Sequence, residues 1–275
     1  MGTDIKMVIT DLDGTLFDDN GRISSKNTDT LRWLGDKGIQ RVFATGRNLF
    51  SARKVLPPDV PVDYLIFSTG AGVIDWRTGE LLYAAHLMEK EVELAIGTLV
   101  DAGISFMLHD LVPENHVFLY FDADCGSSDF LRRIELYRDF ALPLNIDELN
   151  FRNASQLLAI VPENHELLEE MRVKLSSLRV VRTTSPLDGE SMWIEIFPEG
   201  VSKGHTAAWL CNKLSVDRLC TLGTGNDYND LDLLNFVNYP FAMENAPEQI
   251  KRLYRTCKSN NNDGFSDAVF TIINR

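Results

Sequence analysis

The apolar run Met7-Val8-Ile9-Thr10 ends abruptly in Asp11-Leu12-Asp13-Gly14-Thr15-Leu16. A buried strand has no structural use for two carboxylates at its C-terminal tip, because an unpaired buried charge is costly. In a parallel α/β sheet that tip is where ligands bind. The pair therefore reads as chemistry laid on a parallel sheet. Two carboxylates two residues apart can share a hard cation such as Mg²⁺. They can also divide the work, one attacking an electrophile while the other moves a proton.

The following segments supply such a sheet. Residues 5–10 read as a strand, 27–37 as a helix with Leu31 and Leu34 on one face, and Gly38 as its stop. Gln40 to Ala44 is a second strand, a helix follows from about Asn48, and Val62 to Phe67 is a third strand. This βαβαβ alternation predicts a doubly wound parallel sheet of Rossmann-like type. Gly72 to Asp75 and Glu80 to Tyr83, joined through Arg77-Thr78-Gly79, read as a hairpin.

The style then changes. Helices are expected at 88–102, 128–140 and 164–177, and strands at 104–110, 116–122, 157–161, 179–184 and 192–197. Paired strands between helices indicate an α+β module on an antiparallel sheet. From Lys203 the first style resumes, with helices at 203–213, 230–236 and 247–256 and strands at 218–223 and 240–243. The expected organisation is an α/β core, residues 1–83 and 189–275, interrupted by an inserted α+β domain at 84–188. Asn260 to Gly264 reads as a polar turn.

Composition narrows the partners. With 275 residues, 44% of them hydrophobic, the chain can bury a substantial core in two domains. A formal charge of −13 argues against nucleic acid. No apolar run approaches the roughly 20 residues of a membrane span, and no basic, then apolar leader opens the chain. A cytoplasmic protein with no membrane partner is expected; the oligomeric state is left open. Cys125, Cys211, Cys220 and Cys257 are widely spaced and read as buried thiols of a reduced compartment.

Four segments at expected strand ends carry polar residues. Beside Asp11 and Asp13 stands Ala44-Thr45-Gly46-Arg47, whose hydroxyl, flexible amide and guanidinium at a helix entrance suit an anion. Val201-Ser202-Lys203-Gly204 opens a helix, and Gly223-Thr224-Gly225-Asn226-Asp227-Tyr228-Asn229-Asp230 sets carboxylates and amides after a strand. Taken singly, Thr45 is also a good turn or N-cap residue, Lys203 a solvated lysine, and Asp227 and Asp230 first-turn helix charges. The four together, in this order, point to one site.

This set resembles the haloacid dehalogenase-like phosphohydrolases, in particular the Cof-type subgroup with a large α/β cap. The resemblance rests on Asp-x-Asp-Gly-Thr-Leu, Ala-Thr-Gly-Arg, Ser-Lys-Gly and Phe241-Ala242-Met243-Glu244-Asn245-Ala246, and on the position of the insertion. It implies that Asp11 is a nucleophile forming an aspartyl-phosphate. Asp13 would be the general acid/base, its carbonyl helping to hold Mg²⁺. Thr45 and Lys203 would bind the transferring phosphoryl group. Asp230 would belong to the acidic metal motif, and Asn229 would contact phosphate. Gly46 and Arg47 join the phosphate-binding set, Arg47 either reaching the substrate or anchoring its own loop.

The chain departs from the family pattern at two places. Where the family carries Gly-Asp-x-x-Asn-Asp, this chain has Gly225-Asn226-Asp227-Tyr228-Asn229-Asp230. An amide oxygen can ligate Mg²⁺ but brings no charge. Weaker metal affinity is therefore expected, unless Asp227 substitutes. Ser68-Thr69-Gly70-Ala71 stands where relatives often carry Asn before Gly-Ala.

The expected activity is Mg²⁺-dependent hydrolysis of a small phosphorylated metabolite, by family precedent a sugar phosphate. Phosphotransfer, as in a mutase, and a phospho-acceptor sensor are the competing readings. Candidate selectivity loops in the insertion are His109-Asp110, Asp122-Ala123-Asp124 and Arg182-Thr183-Thr184. Glu195, on a strand among apolar residues, reads as structural.

Overall fold

The computed structural model describes residues 4–123, 127–146 and 151–273. Contacts divide the chain into two units. The first runs to Arg47, continues through Ser51–Tyr83 and resumes at Ser202; the second is Asn48–Phe50 with Ala84–Val201.

The first unit is built on an eight-stranded sheet. Met7–Thr10 is buried along its whole length and pairs in parallel with Gln40–Ala44 on one side and Thr221–Gly225 on the other. Beyond Gln40–Ala44 lie Tyr64–Phe67, Gly72–Asp75 and Leu81–Ala84; beyond Thr221–Gly225 lie Tyr239–Met243 and Arg255–Cys257. Sequential strands therefore run outward in opposite directions from Met7–Thr10. The switch point, where ligands bind in such sheets, lies at its C-terminal end. Ser25–Asp36 is capped by Ser24, whose hydroxyl accepts from Asn27 N, and the chain turns at Gly38 with φ +70°. Met7, Ile9, Val42, Ala44 and Ile66 pack against Ala207, Leu210 and Leu233 to form one core layer.

The C-terminal third differs from the sequence reading in three places. The strand expected at 218–223 is Thr221–Gly225, preceded by a tight turn at Arg218–Cys220. Its glycines serve close packing rather than a turn: a Cβ on Gly225 would lie 2.5 Å from Asp230 Cβ. The helix expected at 247–256 is only Glu248–Lys251, because Arg255–Cys257 adds to the sheet edge beside Phe241–Met243. After the Asn260–Asn262 turn a helix not expected from the pattern, Gly264–Ile273, buries Phe265, Ala268, Val269 and Ile272.

The second unit carries a six-stranded sheet in the order Leu178–Thr184, Met192–Pro198, Gln156–Val161, Phe106–His109, Phe118–Phe121, Ala141–Pro143. Its pairs are antiparallel except the last, which is parallel. One face packs on the helices Glu89–Asp101 and His165–Lys174 through Val92, Ile96, Leu168 and Met171. The opposite face, with Met107, Leu158, Ile160 and Trp193, packs on Phe130 of the helix Ser128–Leu136 and on Tyr137.

Met192–Pro198 moves the expected core boundary at 188/189 to Val201/Ser202. That strand is flanked on both sides by antiparallel partners of the second sheet, which satisfy its backbone there. The helix expected at 128–140 stops at Leu136. Cys211 and Cys257 are buried thiols, as expected, whereas Cys220 is only half-buried; Cys125 and Asp124 lie outside the described residues. Among the described residues no helix is long and apolar enough to cross a membrane.

Candidate active site

The strand Met7–Thr10 delivers Asp11 to the switch point, where it is 5% exposed. The chain then makes a wide turn, Leu12–Leu16, in which Phe17 N donates to the Leu12 carbonyl at 2.8 Å. Gly14 sits at φ +73°, and a Cβ there would lie 2.5 Å from the Asn226 amide. Only glycine meets both demands. The turn aims the Asp13 carbonyl back toward the Thr221–Gly225 side.

Lys203 is fully buried at the start of its helix, whose N-cap Ser202 accepts from His205 N. Its Nζ donates to Asp11 Oδ1 at 2.7 Å and to Asp230 Oδ1 at 2.6 Å. One cation thus faces two buried carboxylates. Asp11 and Asp230 hold the ammonium charged, well above the ordinary lysine value. Burial pushes the Asp11 carboxyl up to about 7, against the pull of Lys203 and with help from Asp230 and Asp13. These two shifts oppose each other; at 2.7 Å from a charged ammonium, we take Asp11 as the ionised partner.

Asp230 is spent structurally. Its Oδ2 accepts Asn226 N at 2.8 Å and Asp227 N at 3.0 Å, and its Oδ1 holds Lys203. Asp230 was expected in the acidic metal motif; here its oxygens fold the 226–230 loop and hold the lysine. Asp227 caps the turn Tyr228–Asp230 through its carbonyl, which accepts Asp230 N at 3.0 Å.

Asn226 takes a different part. Oriented by its hydrogen-bonding neighbours, its amide nitrogen donates to Asp11 Oδ2 at 3.3 Å, the Asp13 carbonyl at 2.9 Å and Thr15 Oγ1 at 2.8 Å. Two of these acceptors are the oxygens expected to hold Mg²⁺. They converge on one point and are hard donors, so they fit a hard cation, with Asn226 Oδ1 available if the amide turns over. Among the described residues no cluster of three His, Cys, Asp or Glu side chains could hold a metal.

Arg47 forks onto Asp13, Nε to Oδ2 and Nη2 to Oδ1, each at 2.7 Å, and its Nη1 reaches Ser51 Oγ at 3.0 Å. It was expected either to reach the substrate or to anchor its own loop; here it clamps the second aspartate. Thr45 is fully buried, its hydroxyl accepting Arg47 N at 3.1 Å. The turn Ser68–Gly70 closes over this motif: Ser68 N donates to the Arg47 carbonyl and Thr69 N to that of Thr45. Ser68 and Thr69 both stand at positive φ, +49° and +55°, the latter costly for a β-branched residue. Strain of this kind persists where surrounding structure enforces it, typically at functional sites. Asn229 points its amide past Gly46, 3.4 Å from where a Cβ would stand.

Sequence reasoning passed over Thr15, Asn245 and Asn260. Asn245 Nδ2 donates to the Gly14 carbonyl at 2.8 Å, and its Oδ1 accepts Asn260 N. Asn260 Nδ2 holds the Phe17 carbonyl at 3.1 Å. The two asparagines brace the turn that presents Asp13. Asn245 stood inside a quoted motif, but no local pattern pairs it with a residue 231 positions away.

The model of the haloacid dehalogenase-like hydrolases matches residues 8–269. The chain belongs to that family. It is a haloacid dehalogenase-like phosphatase, a phosphoric monoester hydrolase. The phosphatase YwtE of Bacillus subtilis, named for 5-amino-6-(5-phospho-D-ribitylamino)uracil, is 24% identical over 94% of this chain and 95% of its own. The solved phosphatase BT1666 of Bacteroides thetaiotaomicron shares the fold with a TM-score of 0.78 and 19% identity, over 98% of this chain and 95% of its own. The subclass IIB sugar phosphatase BT4131 does so at 0.76 and 20%, over 98% and 100%. Phosphatases of this family generally use Mg²⁺.

Proposed function

We propose that this phosphatase hydrolyses a small phosphorylated metabolite, a sugar phosphate by class, through an aspartyl-phosphate on Asp11 with Mg²⁺ as cofactor. The observation that carries this reading is the asymmetric use of Asp11. Its Oδ1 is held by Lys203, while among the described residues its Oδ2 meets only the weak amide donor of Asn226. One oxygen is thus fixed and the other can be turned on an electrophile.

In this reading an Asp11 oxygen attacks phosphorus and the ester P–O bond breaks. Asp13, protonated, gives its proton to the departing oxygen. The resulting carboxylate then takes a proton from water, which attacks phosphorus and breaks the bond to Asp11, releasing inorganic phosphate. Arg47 holds both Asp13 oxygens, so Asp13 acts only after exchanging one of those bonds for the leaving oxygen. Lys203, Thr45 and Asn229 would meet the negative charge spread over the phosphoryl oxygens, where positioned donors do most of the catalytic work. Mg²⁺, when held by Asp11, the Asp13 carbonyl and Asn226, would offset repulsion between the attacking carboxylate and the phosphate. Its weak point is Asn226, which supplies no charge.

The test is release of inorganic phosphate from a panel of phosphorylated metabolites with Mg²⁺ present, together with acid-quench trapping of a phosphorylated protein. Label on Asp11 and free phosphate as product support the reading. Transfer of the phosphoryl group to a second hydroxyl, without free phosphate, would replace hydrolysis by phosphotransfer.

A further inference from the structure

The carboxylates at the C-terminal edge of the first unit's sheet are engaged before any ligand arrives. Both Asp13 oxygens accept from Arg47, each at 2.7 Å. Asp230 is fully buried, with Oδ1 on Lys203 Nζ at 2.6 Å and Oδ2 on the backbone amides of Asn226 and Asp227 at 2.8 and 3.0 Å. Asp11 gives Oδ1 to Lys203 at 2.7 Å. Arg47 therefore answers Asp13, and Lys203 is shared between Asp11 and Asp230. Among these five groups one negative charge is left for a cation to meet.

Asn226 adds no charge to that set. Its amide nitrogen donates to Asp11 Oδ2 at 3.3 Å, to the Asp13 carbonyl at 2.9 Å and to Thr15 Oγ1 at 2.8 Å. A neutral N–H thus already draws together the two oxygens expected to hold Mg²⁺. The amide is also tightly placed: a Cβ on Gly14 would come within 2.5 Å of it, and Asn245 holds the Gly14 carbonyl at 2.8 Å. Presenting Oδ1 to a cation means turning the amide over and breaking three donor contacts, and lost hydrogen bonds in a part-buried site are costly. Affinity for hard dications follows the charge of the ligand set. Mg²⁺ arriving alone therefore gains little here.

Phosphate arriving alone meets the converse difficulty. The Lys203 ammonium is already divided between two carboxylates, and the anionic Asp11 repels a second anion. Each ion supplies what the other lacks. Phosphoryl oxygens bring the anionic ligands that Asn226 does not, and Mg²⁺ offsets the repulsion between phosphate and Asp11.

We infer that Mg²⁺ binds this protein together with the phosphate rather than ahead of it, and that Asn226 makes the two interdependent. Asn226 is a positioning residue: its N–H holds the Asp11 and Asp13 oxygens converged in the free protein and gives way when both ions are present. The inference rests on the reading above for the place where the phosphate sits. An aspartate at this position, as in the family motif, would hold the metal without phosphate and uncouple the two.

The experiment is calorimetry on the full chain, stripped of metal by a chelator and dialysed. Magnesium chloride is titrated with and without inorganic phosphate, and inorganic phosphate with and without Mg²⁺, the heat of their association in buffer being subtracted. In wild type, phosphate should raise Mg²⁺ affinity about tenfold or more, within the usual range for coupled sites, and Mg²⁺ should raise phosphate affinity by the same factor. Asn226→Asp should bind Mg²⁺ without phosphate, and phosphate should then change that affinity less than about threefold. Where that variant does not fold, the wild-type titrations decide alone. Mg²⁺ affinity indifferent to phosphate in wild type, including no binding in either case, would overturn the inference, as would coupling equally strong in Asn226→Asp. Coupled binding in a protein whose acid-quenched turnover leaves no label on Asp11 would uphold the coupling and sink the covalent reading. Label on Asp11 alongside Mg²⁺ binding indifferent to phosphate would do the reverse.

Discussion

The two units treat buried charge in opposite ways. In the first, Lys203, Asp11 and Asp230 are buried within hydrogen-bond distance of one another, and the oxygens of Asp230 are all taken. In the second, Arg133 is buried against two aromatic rings and has no hydrogen bond among the described residues, and Asp129, His109 and Gln156 each keep one buried atom without a partner there. A saturated network holds its geometry before any ligand arrives, which suits groups that must meet a transition state in place. An unsaturated one leaves buried atoms that water or another polar group must satisfy.

The largest test of this contrast is in the first unit. Asp11→Asn should abolish turnover, a loss of about 10⁴-fold or more, while the melting curve stays close to wild type because Lys203 keeps Asp230. Retained turnover would overturn the nucleophile assignment. Lys203→Met should also destabilise the fold, by about 3–5 kcal/mol, since two buried carboxylates lose their shared cation. Chemical denaturation reads this directly, and a change under about 1 kcal/mol would mean the network is not saturated in the sense described.

Asn226→Asp sharpens the metal question. A carboxylate facing Asp11 Oδ2 and the Asp13 carbonyl should lower the melting temperature without metal and restore it with Mg²⁺. Calorimetric Mg²⁺ affinity should rise about tenfold, as expected for an added anionic ligand. Tighter binding by wild type than by the variant would refute the expected weakness.

The smallest effect concerns His109. Burial, then Arg133, pulls its pKa down to about 3. Unfolding restores the ordinary value, so between about 6.5 and about 3 the unfolded chain binds a proton that the folded one refuses. Stability from this group is complete above about pH 6.5 and erodes as pH falls toward 3, at most about 1.4 kcal/mol per pH unit. Denaturation of His109→Asn across that range should show a shallower slope; an unchanged slope would remove His109 from the account.

The reach of the sequence follows the range of the interactions. Asp11, Thr45 and Lys203 were legible because each sits where a local apolar pattern stops, at a strand end or helix start. The inserted α+β unit was legible from the change in period. The strand Met192–Pro198 was assigned to the wrong unit, because a strand's own residues do not name its partner. Arg255–Cys257 was read as helix for the same reason: a sheet edge outweighed its local pattern.

Residue types and their order along the chain determined by themselves that a parallel sheet would carry Asp11, Asp13 and Thr45 on its C-terminal edge, and that Lys203 would open a helix. Hydrophobic periodicity and turn residues act over a few positions, and the family motifs are equally local. Tertiary structure alone decided what these groups do to one another. Asp230 became the organiser of Lys203 and of its own loop, Arg47 became a clamp on Asp13, and Asn226 turned its nitrogen to the oxygens expected to hold a metal. Each outcome depends on which strands are neighbours and which way an amide faces. Those are fixed by hydrogen bonds between residues as far apart in the chain as Asn226 and Asp11, and no local pattern encodes them.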